Sequence, residues 1–142
     1  MNRTTLAAFL IVFAASTVAT SNTSATSAGE NEWVMYAQEA NGDVYFYDPS
    51  RVKWIDTLRH VWNGVQYKTS VMGASSFLSL LEIDCSERTE KTLQSTFFTD
   101  KHWERAAMKT DSTEKPKSQI AVGSTTERLT EIVCDYCLLY TS

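Results

Sequence analysis

Histidine is almost missing from this chain: its 142 residues hold only His60 and His102, so a site built on three or more histidines is excluded. Cations are also scarce. Lysine and arginine total 13 against 17 acids, a formal charge of −4, whereas nucleic-acid affinity rests on basic groups that displace counterions from phosphates. No apolar run approaches the about 20 residues that cross a bilayer as a helix. There is no G-x-S-x-G elbow, no glycine-rich phosphate loop and no H-E-x-x-H pair. Internal repeats are absent, and no linker follows residue 33. What remains is 43% hydrophobic and 21% charged, the balance of a folded chain with one domain.

Residues 1–28 read as a secretory signal peptide and flexible leader. Arg3 gives a positive start, Leu6 to Ala15 form an apolar stretch of ten, and small residues follow with cleavage points after Ala19, Ala25 or Ala28. No cysteine lies near these points, so lipid attachment at the new N-terminus is not available. Residues 29–142 are then a single domain with 12 bases against 17 acids and 14 of the 16 aromatics. In an oxidising compartment a disulfide is the default reading of a cysteine pair.

Trp33 to Ala40 alternates loosely and leads to Asn41-Gly42, the favoured pair of a two-residue hairpin turn. Val44 to Asp48 forms a second strand, stopped by Asp48-Pro49-Ser50. Leu58 to Tyr67 is a third, with Asn63-Gly64 inside it as a bulge or a second turn. In Phe77 to Cys85, Phe77, Leu81, Ile83 and Cys85 share one face while Glu82 and Asp84 point the other way. Lys91 to Phe98 returns, after a connection at Ser86 to Glu90. Residues 109–118 read as a solvated loop. Ser124 and Glu127 then form a capping box, and Leu129, Ile132, Val133 and Tyr136 recur at helical spacing. The expected fold is α+β, an antiparallel sheet of about five or six strands with a C-terminal helix on one face.

Cys134-Asp135-Tyr136-Cys137 has the C-x-x-C form of redox and zinc sites. Redox pairs usually open a helix, where the dipole stabilises a thiolate; this pair closes one. A zinc site would need Cys85 with His60 or His102, and no spacing supports that set. The remaining reading is a structural bond from Cys85 to the helix, leaving one thiol free. Helical geometry places Cys137 nearer the apolar stripe than Cys134, so pattern alone leaves the partner open. Glu82 and Asp84 read as a solvated acidic face, His60 as a rim histidine, and the four tryptophans as core. No catalytic group, metal or cofactor is expected.

Several segments in order resemble the surface-adhesin protein E family of bacterial envelope proteins. They are Trp33-Val34, the run Gly42 to Ser50, Val61-Trp62 with Tyr67-Lys68, Glu82 to Cys85, Ser95 to Phe97, and Gly123-Ser124 leading to Ile132-Val133-Cys134. Together they span roughly residues 33–134. The resemblance implies a helix tethered to the sheet by a Cys85–Cys134 disulfide, with Cys137 and Leu138-Leu139-Tyr140 beyond the family's usual end. It also implies an exported, non-enzymatic binding protein, periplasmic, surface-held or released, that engages host matrix or serum proteins, or envelope proteins.

On that footing the sheet face free of the helix is the expected binding surface, with Tyr45, Tyr47 and Trp62 as its contact residues. A homodimer through an exposed sheet edge is a further expectation. The competing expectation is a periplasmic inhibitor or small-ligand carrier, an acidic domain suited to a basic target such as a lysozyme.

Overall fold

The computed structural model describes residues 32–135. The expected signal peptide, Tyr136, Cys137 and the tail lie outside the described residues. Eight strands, one 3-10 turn and one helix follow in order: β1 Val34–Gln38, β2 Val44–Tyr47, the 3-10 turn Pro49–Arg51, β3 Lys53–Ile55, β4 Leu58–Val71, β5 Ala74–Asp84, β6 Thr89–Phe98, β7 Lys109–Asp111, β8 Ser118–Gln119 and α1 Thr125–Cys134. The strands form a single antiparallel sheet in the order β1-β2-β4-β5-β6-β7, with β3 added to β4 and β8 to β6.

The class is as expected and the strand number is larger. The three additional strands are two or three residues long and mostly exposed. Pairing to a long neighbour makes them strands, and their own sequence carries no alternation. Two of them occupy parts of 109–118, the segment expected to be a loop. Strands β4 and β5, of 14 and 11 residues, are the spine.

Two turn expectations are corrected. Glu39 and Asp43 still share a backbone bond, Glu39 N–H donating to the Asp43 carbonyl at 2.9 Å. The β1–β2 loop is therefore three residues, Ala40 to Gly42, of which only Gly42 has positive φ. Asn41 instead accepts the Asp43 N–H at 2.9 Å, an Asx turn that removes its need for a left-handed backbone. Asn63-Gly64 is neither bulge nor turn: pairing runs unbroken through Asn63↔Ser79 and Gly64↔Leu78.

The helix covers one side of the sheet. Its cap forms as expected at Ser124, whose Oγ accepts the Glu127 N–H at 3.1 Å. The Glu127 carboxylate takes the Gly123 N–H at 2.7 Å rather than that of Ser124, because Ser124 N–H already bonds to the Ala121 carbonyl. Leu129 and Val133 pack with Tyr36, Val61, Leu81, Ile83 and Ile120 into the core. Ile132, expected in the stripe, is exposed; the buried positions are Leu129, Thr130 and Val133, a narrower face than the sequence spacing suggests.

The last turn is held twice. Cys85 and Cys134 form a disulfide with Cα atoms 5.6 Å apart, so the pairing implied by the resemblance is the one present. Beside it Arg59 is fully buried. Its guanidinium donates to the Asp56 and Leu58 carbonyls, each at 2.9 Å, and to the Val133 carbonyl at 3.2 Å, and lies 4.3 Å from the Trp54 ring centre. A cation at a helix C-terminus meets the negative end of the dipole.

Candidate functional site

Side chains alternate across each strand, so register decides which residues share a surface. On the helix side, Val61 faces Leu81, Asn63 faces Ser79, and Val65 faces Phe77. Tyr45 is paired with Val65 and Tyr47 with Asn63, which puts both tyrosines on this side. They pack against the core, and each makes an edge contact with Tyr36 at 6.1 Å. Tyr36 donates to Asn63 Oδ1 at 2.8 Å, and Asn63 donates onward to Ser79 at 3.3 Å, a chain that satisfies polar groups under the helix. Burial, with the Glu39 charge and hydrogen bond added, pushes the Tyr45 phenol up to about 12.

Trp62 precedes Asn63 and points to the opposite side. The three expected contact residues are therefore divided by the sheet and form no common surface. The placement of Tyr45 and Tyr47 on the helix-free face is corrected: they were read from their chemistry without the register of their neighbour.

The open side has two parts. The first is aromatic. Asp48-Pro49-Ser50-Arg51 makes the 3-10 turn, with Asp48 as its cap and Pro49 at the first position. Burial raises the Asp48 carboxyl, but hydrogen bonds from Ser50 and Arg51 and the Arg51 charge outweigh it, leaving it below the usual range. So anchored, the Arg51 guanidinium stands 5.5 Å from the Trp33 ring centre and 5.4 Å from that of Trp62. Trp103 reaches back from the loop after β6 and packs at 4.8 Å on Trp33 and 5.9 Å on Phe46. That loop is shaped by Asp100, whose carboxylate accepts the N–H groups of His102, Glu104 and Arg105.

Gly64 is the seat of the Trp103 ring. A Cβ there would lie 2.7 Å from Trp103 Cζ2 and 3.1 Å from Leu78 Cδ2. Gly64→Ala should expel the indole and cost about 1–3 kcal/mol, the usual range for overpacking. Thermal melts and a red shift of tryptophan emission check this; an unchanged spectrum with unchanged stability would refute the seat.

The second part is a charged ladder. Lys53 is paired with His60, His60 with Glu82, and Glu82 with Lys91. His60 Nε2 meets Glu82 at 2.9 Å, and Lys91 Nζ lies 3.6 Å from Glu82 and 3.0 Å from Glu114. The Glu114 hydrogen bond, partly offset by burial and aided by Glu82, raises the Lys91 amine. Partly exposed pairs of this kind orient a partner more than they stabilise a fold. Asp84, expected beside Glu82 as a solvated acid, instead accepts the Ser86 and Glu87 N–H groups at the β5–β6 turn. Among the described residues no group of three His, Cys, Asp or Glu side chains could hold a metal.

Sequence reading missed Trp103 and Arg51. For Trp103 the available signal was Gly64, a glycine in mid-strand marking close approach by something bulky. Of the tryptophans assigned to the core, none joins the buried cluster under the helix, and Trp54 is 48% exposed.

A disulfide-tied antiparallel sheet, covered by a helix on one side and aromatic and charged on the other, makes this a small α+β domain. The chain belongs to the surface-adhesin protein E family, whose model matches residues 33–135, and is thus an adhesin-like surface protein. Among solved structures, crystal form II of Haemophilus influenzae protein E is similar with a TM-score of 0.56 at 16% identity, covering 72% of this chain and 86% of that one. Protein E from non-typeable Haemophilus influenzae is similar with a TM-score of 0.53 at 16% identity, covering 72% and 74%. No curated protein sequence matches the chain. No described helix is long and apolar enough to cross a membrane.

Proposed function

We propose that this is an exported binding module that engages a host or envelope protein, without catalysis, through the open side of its sheet. The observation that supports the reading is the Trp33–Arg51–Trp62 stack, with the Arg51 side chain 36% exposed. Tryptophan and arginine are the residue types that dominate binding energy at protein interfaces, and here they are held in place before any partner arrives. The neighbouring Lys53–His60–Glu82–Lys91 row supplies a polar rim of mixed sign.

The test is a binding measurement against host matrix and serum proteins and against lysozyme, at low and moderate salt. Arg51→Ala with Trp62→Ala should weaken the partner it finds by roughly tenfold or more, while Tyr45→Phe, on the helix side, should leave affinity unchanged. Loss in the tyrosine variant alone would move the site to the other face. Inhibition of lysozyme without matrix or serum binding would replace the adhesin reading by the inhibitor one.

A further inference from the structure

The segment between β6 and β7, residues 99–108, crosses the open side as a strap. From Lys101 to Met108 every residue is exposed except Trp103, so one ring is all that this stretch turns inward. The ends of the strap are pinned. Ser76 Oγ donates to the Asp100 carbonyl at 2.5 Å, and the Met108 N–H donates to the Phe97 carbonyl at 2.8 Å. Between these points the Asp100 carboxylate gathers the N–H groups of His102, Glu104 and Arg105; none of the three is the N–H of Trp103. A long contact of 3.5 Å joins His102 to Gln66.

Trp103 occupies its seat at two separate costs. Its φ is 60°, in the left-handed region that a bulky side chain rarely enters. Its indole Nε1 is buried and has no hydrogen-bond partner among the described residues, although a buried tryptophan N–H ordinarily finds one. Such outliers gather at ligand clamps and switch segments. Against these costs stands the packing of the ring on Trp33, Phe46 and Gly64. The seat itself is held by other means. Phe46, Gly64 and Leu78 lie on paired strands, and the Arg51 guanidinium packs on Trp33. The walls are fixed and the ring between them belongs to the movable part.

We infer that the Trp103 strap is a swinging cover over an aromatic subsite of the open side, and that this subsite takes a phenylalanine side chain of a protein partner once the cover lifts. The inference rests on the reading of the open side as the binding face and names what one part of that face receives. The seat is shaped for a flat ring, because Gly64 presents no Cβ and the Trp33 and Phe46 rings form its walls. It offers no acceptor to the N–H of the ring now inside it. A phenyl ring keeps the aromatic contacts and leaves no donor unbonded. The partner thus replaces a poorly matched internal ring with a better matched external one, and the strained backbone at Trp103 relaxes as it does so.

Two measurements on the full chain test this without any protein partner. Relaxation dispersion of the tryptophan indole N–H groups should show microsecond-to-millisecond exchange at Trp103, assigned by its loss in Trp103→Gly, and none at Trp54 on the helix side. Trp103→Gly empties the seat and suits the left-handed backbone. It should bind N-acetylphenylalanine amide about tenfold or more tightly than the wild type does, since a site open only part of the time loses affinity in proportion. The Gly64 and Leu78 amide peaks should report that binding, and N-acetyltryptophan amide should bind the variant more weakly. Flat dispersion at Trp103, no probe binding by the variant, or equal binding of the two probes would overturn the inference. A variant that no longer folds would do so too, because the ring would then belong to the core. If the probe binds as expected while Arg51→Ala with Trp62→Ala leaves partner affinity intact, the open-side reading fails and the subsite stands.

Discussion

Reducing the Cys85–Cys134 bond, or replacing both cysteines by alanine, should lower the unfolding free energy by about 4 kcal/mol. The bond spans a sequence separation of 49 residues, and closing a loop of that size removes this much conformational freedom from the unfolded chain. Typical domains have only about 5–15 kcal/mol to lose. The melting temperature should fall by roughly 15–30 °C, taking about 4–8 °C per kcal/mol for a domain near this size. Thermal melts with and without reductant measure the shift, and non-reducing peptide mapping confirms the pair. A shift of less than about 5 °C would mean that the bond does not constrain the fold as argued.

Arg59→Ala should be the most damaging single substitution outside the cysteines, at about 3 kcal/mol. It deletes a fully buried stem, leaves the carbonyls of Asp56, Leu58 and Val133 without their cationic donor, and removes the cation from Trp54. Arg59 and the disulfide both secure the last turn of α1, so their losses should not add. Once the bond is reduced, Arg59→Ala should cost at least ~1 kcal/mol less than in the bridged chain, the scale of coupling between neighbours that share a structural element. Denaturant titrations of the four species close the cycle. Strict additivity would separate the two fastenings.

How much of this was readable from the residues depended on how local the cause was. Strands β2, β5 and β6 and the Ser124 cap were legible because alternation and capping chemistry lie within a few residues. The class of fold followed from them. Strands β3, β7 and β8 were not, since they exist by pairing with Arg59, Thr96 and Thr89 across the sheet. The same non-local term decided the site. Tyr47 and Trp62 look equivalent in composition, but Tyr47 lies opposite Asn63, and that one-residue offset sends the two rings to opposite sides. Trp103 was hidden for a related reason: its partners Trp33, Phe46 and Gly64 sit far back in the chain, and only the turn set by Asp100 returns it to them.

The order in which the two bonded cysteines occur has a consequence in time. In a chain made N-terminus first, Cys85 emerges before Cys134, so the β4–β6 meander spends an interval unlatched. During that interval the waiting thiol is open to the wrong suitor, and Cys137, three places past the right one, arrives almost together with it. The helix capped at Ser124 and held by Arg59 at the Val133 carbonyl sets Cys134 beside Cys85, so the same contacts that support the finished molecule also present the right sulfur for closure.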